Sequence, residues 1–99
     1  MAISISIWSF AYALGSIPFG VLLARSQNID LRKHGSKNIG ATNVTRILGR
    51  KAGTLTLLGD TLKGSLGVAI ASWITNDPFT VAGAGIMVIL GHLFSVFLK

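Results

Sequence analysis

The chain is 99 residues long, 51% hydrophobic and only 12% charged, with a mean hydropathy of +0.65. Its apolar residues come in blocks about as long as a bilayer is thick, which excludes an ordinary soluble domain, a disordered chain and a coiled coil. No Cys is present, so disulfides, thiolate metal sites, iron–sulfur clusters and a cysteine nucleophile are excluded, while nine Lys+Arg against three Asp+Glu, a net charge of +6, point to phosphate-bearing partners.

Residues 3–24 carry no charge, and at about 1.5 Å per residue they reach roughly 33 Å, enough to cross a bilayer. Small residues recur at helical spacing at Ala11 and Gly15 and at Ser16, Gly20 and Ala24, which lets another helix approach closely. Pro18 removes a backbone donor and predicts a bend. A cleavable signal peptide is the competing reading, since Ala11-Tyr12-Ala13 resembles a processing site. It is disfavoured because residues 1–24 lack the Lys or Arg of a charged leader.

Residues 25–51 form a polar loop holding Arg25, Arg32, Lys33, Lys37, Arg46, Arg50 and Lys51, and this excess of cations predicts a cytoplasmic location. The N-terminus is then outside and Lys99 inside, and the sequon Asn43-Val44-Thr45 is a chance match on the side without glycosylation. Apolar blocks at 52–74 and 79–98 predict two further spans around the turn Thr75-Asn76-Asp77-Pro78, with Pro78 opening the third helix. The expected architecture is all-α: a single membrane domain, 1–99, of three transmembrane helices with a cytoplasmic phosphate-binding loop between the first two. Alternating strands, which a barrel needs, are absent from the pattern.

The chemistry concentrates in Gly35-Ser36-Lys37-Asn38-Ile39-Gly40-Ala41-Thr42-Asn43-Val44-Thr45-Arg46. Gly35 and Gly40 free the backbone to turn N–H groups toward one point, and Ser36, Asn38, Thr42 and Asn43 add short neutral hydrogen-bonding groups. Thr42 or Asn43 is placed to cap the next helix, whose amides and positive dipole end favour a phosphate, and Arg46 follows one turn later as a forked cation. A solvated loop with a capped exit accounts for the same composition equally well. The run is neither a Walker A motif nor a Rossmann fingerprint.

Together with Gly15-Ser16-Ile17-Pro18-Phe19-Gly20 before it and Asp60-Thr61-Leu62-Lys63-Gly64 and Gly91-His92-Leu93-Phe94 after it, this loop closely resembles the bacterial acyl-phosphate:glycerol-3-phosphate acyltransferase family of PlsY type. The resemblance spans nearly the whole chain. It implies a multi-pass enzyme of the bacterial cytoplasmic (inner) membrane that moves a fatty acyl group from acyl phosphate to the sn-1 hydroxyl of glycerol 3-phosphate, giving lysophosphatidic acid for phospholipid biosynthesis. Ser36, Asn38, Gly40, Thr42 and Asn43 would then bind acyl phosphate and Arg46 glycerol 3-phosphate, with Lys63 and His92 as site neighbours. Family members look about twice as long, with seven spans, a glycine-lysine loop and a later His and Asn. Those positions have no counterpart here, and Ser95 stands where the family typically has a proline, so the chain is expected to be the N-terminal half of such an enzyme.

An acyl phosphate is a mixed anhydride with a stable leaving group, so transfer needs positioning and charge stabilisation rather than a protein nucleophile. No covalent nucleophile, cofactor or metal is expected: neither histidine lies in a His-x4-Asp pattern, and three scattered Asp and two lone His make no metal set. Asp60 and Lys63, three apart in an apolar span, are expected to pair on one helix face. The expected partners are the two substrates, the lipid bilayer and further membrane helices from a missing C-terminal half, with no nucleic acid. The alternative is a truncated, catalytically incomplete three-helix membrane fragment or an interaction subunit.

Overall fold

The computed structural model describes residues 1–98 and is all-helical. The order is α1 (Ala2–Gly15), α2 (Phe19–Arg25), a 3-10 turn (Leu31–Lys33), α3 (Ala41–Leu48), α4 (Arg50–Ile74), α5 (Pro78–Leu93) and a final 3-10 turn (Val96–Leu98). Lys99, expected on the inner side, lies outside the described residues. Two compact units are distinguishable, one made of Met1–Ile17 with residues 62–98, the other of Pro18–Thr61.

Among the described residues one segment, Ala2–Arg25, is both long and apolar enough to cross a membrane, and Pro78–Leu93 is a shorter apolar helix. The expectation of three spans is thus met in full by the first alone. α4 has the length at 25 residues, but Arg50, Lys51, Asp60 and Lys63 dilute its apolar character. The third helix ends at Leu93 rather than running to residue 98.

In the first unit α1 packs on α5 almost backbone to backbone. A Cβ added at Gly15 would lie 2.1 Å from Val88 O, and one at Gly91 would lie 2.2 Å from Tyr12 O, so the small residues along α1 serve this contact. Ile7, Ala11, Ala71, Ala84 and Val88 form the buried cluster, flanked by Trp8, Val81 and Met87.

Pro18 interrupts the first apolar segment, because it has no N–H to continue the ladder. Every carbonyl from Leu14 to Ile17 nonetheless finds a donor. Ile17 N bonds Leu14 O at 3.3 Å, the Lys63 ammonium donates to Gly15 O at 2.8 Å and Ile17 O at 2.9 Å, and Ser95 Oγ donates to Ser16 O. A broken helix is tolerable away from water only when its freed backbone groups are paired in this way.

The other end of α5 begins at Pro78, as the turn predicts, with Asp77 as its N-cap. Phe79 N donates to Asp77 Oδ1 at 3.2 Å and Thr80 Oγ1 to Oδ2 at 2.6 Å, while Ser4 Oγ lies 2.8 Å from Thr80 Oγ1 and Trp8 Nε1 donates to Thr80 O at 3.0 Å. The Thr80 hydroxyl is the main reason that the Asp77 carboxyl titrates below its ordinary value. A depressed folded-state pKa means that this stabilisation is complete above the unfolded value of about 3.9 and disappears as pH falls through the folded one. Thermal unfolding of the chain is therefore expected at a lower temperature on acidification below about pH 4, and Asp77→Asn should flatten that limb. Equal slopes in the two proteins would count against the cap.

In the second unit α2, α3 and the first half of α4 enclose Val21, Leu31, Val44 and Thr56. Gly20 sits where a Cβ would meet Ile39 O at 2.6 Å and Val44 Cγ2 at 2.8 Å. Gly49, at φ 98°, separates α3 from α4, which L side chains at that conformation resist.

Candidate functional site: the loop before α3

Residues 34–40 fold over the start of α3 through the side chain of one residue. Asn43 is 1% exposed, and its amide makes three hydrogen bonds: Oδ1 accepts from Ser36 N at 3.0 Å, and Nδ2 donates to His34 O at 3.2 Å and Asn38 O at 2.8 Å. The loop closes on this amide so tightly that a Cβ at Gly35, already at φ +55°, would lie 2.3 Å from Asn43 Oδ1. Gly35 is thereby required twice, by conformation and by space. Lys37, at φ 65°, takes a second left-handed position, and its N–H is tied to His34 O at 2.9 Å.

Around this core the polar side chains turn outward. Ser36, Asn38, Thr42 and Arg46 are all exposed. Asn38 Oδ1 accepts from Gly40 N at 3.0 Å, a side-chain turn that leads into α3, and Ser36 Oγ lies 3.4 Å from Asn38 N. Thr42 and Arg46, four apart in α3, lie on one face of the helix. Asn43 and Val44 form its buried side.

Two expectations change. The N-cap of α3 is Gly40, not Thr42 or Asn43, which lie inside the first turn, and among the described residues no side chain caps that end. The first-turn amides are therefore left for another acceptor. Gly40 itself has φ −78° and ψ 168°, ordinary extended backbone, and a Cβ there would have 3.5 Å to its nearest neighbour, so conformational freedom is not its role. Of the six loop residues singled out by sequence, the fold gathers Ser36, Asn38, Gly40, Thr42 and Arg46 on and before one helix start. It draws Asn43 inside as their scaffold.

Lys63 and His92 meet in the first unit: Lys63 is 2% exposed, and its Nζ lies 2.9 Å from His92 Nδ1. The spacing to Asp60 gives no hint of the carbonyl and imidazole partners of Lys63, which come from segments 46 to 48 residues upstream and 29 residues downstream. Neither this cluster nor the scaffolding by Asn43 was legible beforehand. A lysine in mid-helix in α4 and a histidine near the end of α5 were the available signal for the first. Among the described residues no group of three His, Cys, Asp or Glu is placed to hold a metal.

The family described as glycerol-3-phosphate acyltransferase matches residues 5–99. The chain belongs to that family. The glycerol-3-phosphate acyltransferase of Geotalea daltonii is 52% identical over 89 residues, 90% of this chain and 46% of the relative. That of Geobacter metallireducens is 49% identical over 98 residues, 99% of this chain and 50% of the relative. Among solved structures, the glycerol 3-phosphate form of PlsY, an integral membrane glycerol 3-phosphate acyltransferase, superposes with a TM-score of 0.89 at 43% identity, covering 96% of this chain and 48% of that one. Its lysophosphatidic acid form gives 0.85 at 41% identity, covering 96% and 47%. This family member thus spans about half the length of the relatives it matches.

Proposed function

We propose that this chain carries the phosphate-binding half of a membrane acyltransferase that uses acyl phosphate to acylate the sn-1 hydroxyl of glycerol 3-phosphate. The observation that carries the reading is an uncapped helix start bordered by Ser36, Asn38 and Thr42 and held in shape by the buried Asn43 amide. Family membership makes phosphate the ligand that such a start would take. In this reading the backbone amides at the start of α3 bind the acyl-phosphate headgroup, with Ser36, Asn38 and Thr42 around them, and Arg46 grips glycerol 3-phosphate. Lys63 and His92 form no covalent intermediate in this reading.

The reaction forms a C–O bond between the acyl carbon and the sn-1 oxygen and breaks the bond between the acyl carbon and the bridging phosphate oxygen. Inorganic phosphate leaves with the electron pair, and the hydroxyl proton passes to a phosphate oxygen. The protein's share is alignment and charge stabilisation. The same reading places the chain in the bacterial inner membrane with residues 3–24, residues 52–74 and helix α5 as three crossings, the N-terminus outside and residues 25–51 cytoplasmic. The outward-facing Ile3, Ile5, Phe10, Leu58, Ile86 and Ile89 support a lipid surround, because such exposed apolar area would be a liability in water.

The test is acyl transfer from acyl phosphate to glycerol 3-phosphate by the purified chain in nanodiscs. It is run alone and with the second half of the Geobacter metallireducens relative supplied as a separate polypeptide. Lysophosphatidic acid is the expected product in at least one arm, and Asn38→Ala or Arg46→Ala should lower its rate by about 10²-fold or more. No product in either arm, together with no binding of a non-hydrolysable acyl phosphonate, would leave the truncated-fragment reading in its place.

A further inference from the structure

Nζ of Lys63 has three acceptor atoms within 2.9 Å: Gly15 O, Ile17 O and His92 Nδ1. Two of these are carbonyls, which accept and never donate. Only the imidazole nitrogen leaves a choice. Either a Lys63 ammonium gives its third N–H to an unprotonated Nδ1, or a neutral amine gives two N–H groups to the carbonyls and accepts a proton held on Nδ1. Two features decide between them. Gly15 is the last residue of α1, so its carbonyl belongs to the negative end of a helix dipole, which favours a full positive charge on the group that caps it. A buried cation is tolerable when hydrogen bonds satisfy its protons, as the carbonyl and imidazole acceptors around Nζ do here.

We infer that Lys63, as an ammonium, locks His92 into the neutral tautomer with its proton on Nε2. The consequence is chemical. Nδ1 has its lone pair engaged and Nε2 carries the proton, so His92 offers an N–H donor and no base. The inference concerns the chain's own hydrogen bonds and stands or falls independently of the acyl-transfer reading. The contrast within the molecule is His34, whose Nδ1 lies 2.8 Å from Asp30 O and must therefore carry a proton to bond it.

The test is nitrogen-15 spectroscopy of the histidine rings in the whole chain in nanodiscs at about pH 8, where free imidazole is neutral. His34→Gln removes the second histidine and so assigns the signals. The expected result for His92 is a pyridine-type Nδ1 and a pyrrole-type Nε2. A protonated Nδ1, whether as the other tautomer or as the ring cation, overturns the proposal. Lys63→Met should shift the Nδ1 resonance and let both tautomers appear, and an unchanged His92 spectrum in that variant would also overturn it. If Lys63→Met does not fold, the spectrum of the unsubstituted chain still decides.

Discussion

Asn43→Ala is expected to weaken acyl-phosphonate binding by about 10²-fold or more and to open residues 34–40 to protease. Three hydrogen bonds converge on one buried amide, and its removal strands Ser36 N, His34 O and Asn38 O together. At about 1 kcal/mol for each bond lost, and more where a stranded group stays buried, the loop loses roughly 3 kcal/mol of ordering. Because about 1.4 kcal/mol is tenfold in an equilibrium constant, a ligand that needs the ordered loop loses about two decades. Asn43→Asp is the sharper variant. It keeps the acceptor for Ser36 N but turns two donors into acceptors facing the His34 and Asn38 carbonyls, so a comparable loss is expected from a side chain of nearly the same shape. Tryptic cleavage after Lys37 separates a scaffold from a ligand. It should accelerate in both variants with no substrate present, whereas unchanged cleavage alongside lost binding would return Asn43 to the list of direct contacts.

Gly91→Ala is expected to destabilise the chain by about 3 kcal/mol, near the upper end for overpacking. The new methyl would meet Tyr12 O and Ser16 N, main-chain atoms of and just beyond α1 that cannot rotate aside as a side chain would. α1 and α5 must part to admit it, loosening the cluster of Ala11, Ala84 and Val88 between them. Gly15→Ala, which meets Val88 O and Cα, should cost a similar amount. The double variant should cost less than the sum, since one separation of the pair relieves both clashes. Unfolding in mixed micelles followed by circular dichroism measures all three. A Gly91→Ala protein as stable as the parent would mean that the helices do not approach this closely.

These two cases mark what a linear reading could reach. The small residues at Ala11 and Gly15 announce close helix packing wherever it occurs, because only a small or missing side chain allows it, but which helix supplies the partner is a matter of long-range arrangement. The loop from Gly35 to Arg46 announces itself by its density of Gly, Ser, Asn and Thr. Its composition alone treats Asn38 and Asn43 alike, whereas one ends exposed and the other buried. The difference arises because α3 starts at Ala41, which sets Asn43 on the inner side beside Val44.

The residues by themselves determined the helical class, the interruption at Pro18, the turn that begins α5 and the place of the polar loop. Each of these depends on local properties: apolar run length, a missing N–H, a fixed φ. Tertiary structure alone decided that Lys63 closes the break in the first segment and meets His92, that Ser95 takes the Ser16 carbonyl, and that the Asn43 amide is buried and tied to the loop backbone. Those outcomes join atoms 5 to 79 residues apart. They depend on which unpaired backbone groups the fold brings within reach of which donors, a quantity no short stretch of chain contains.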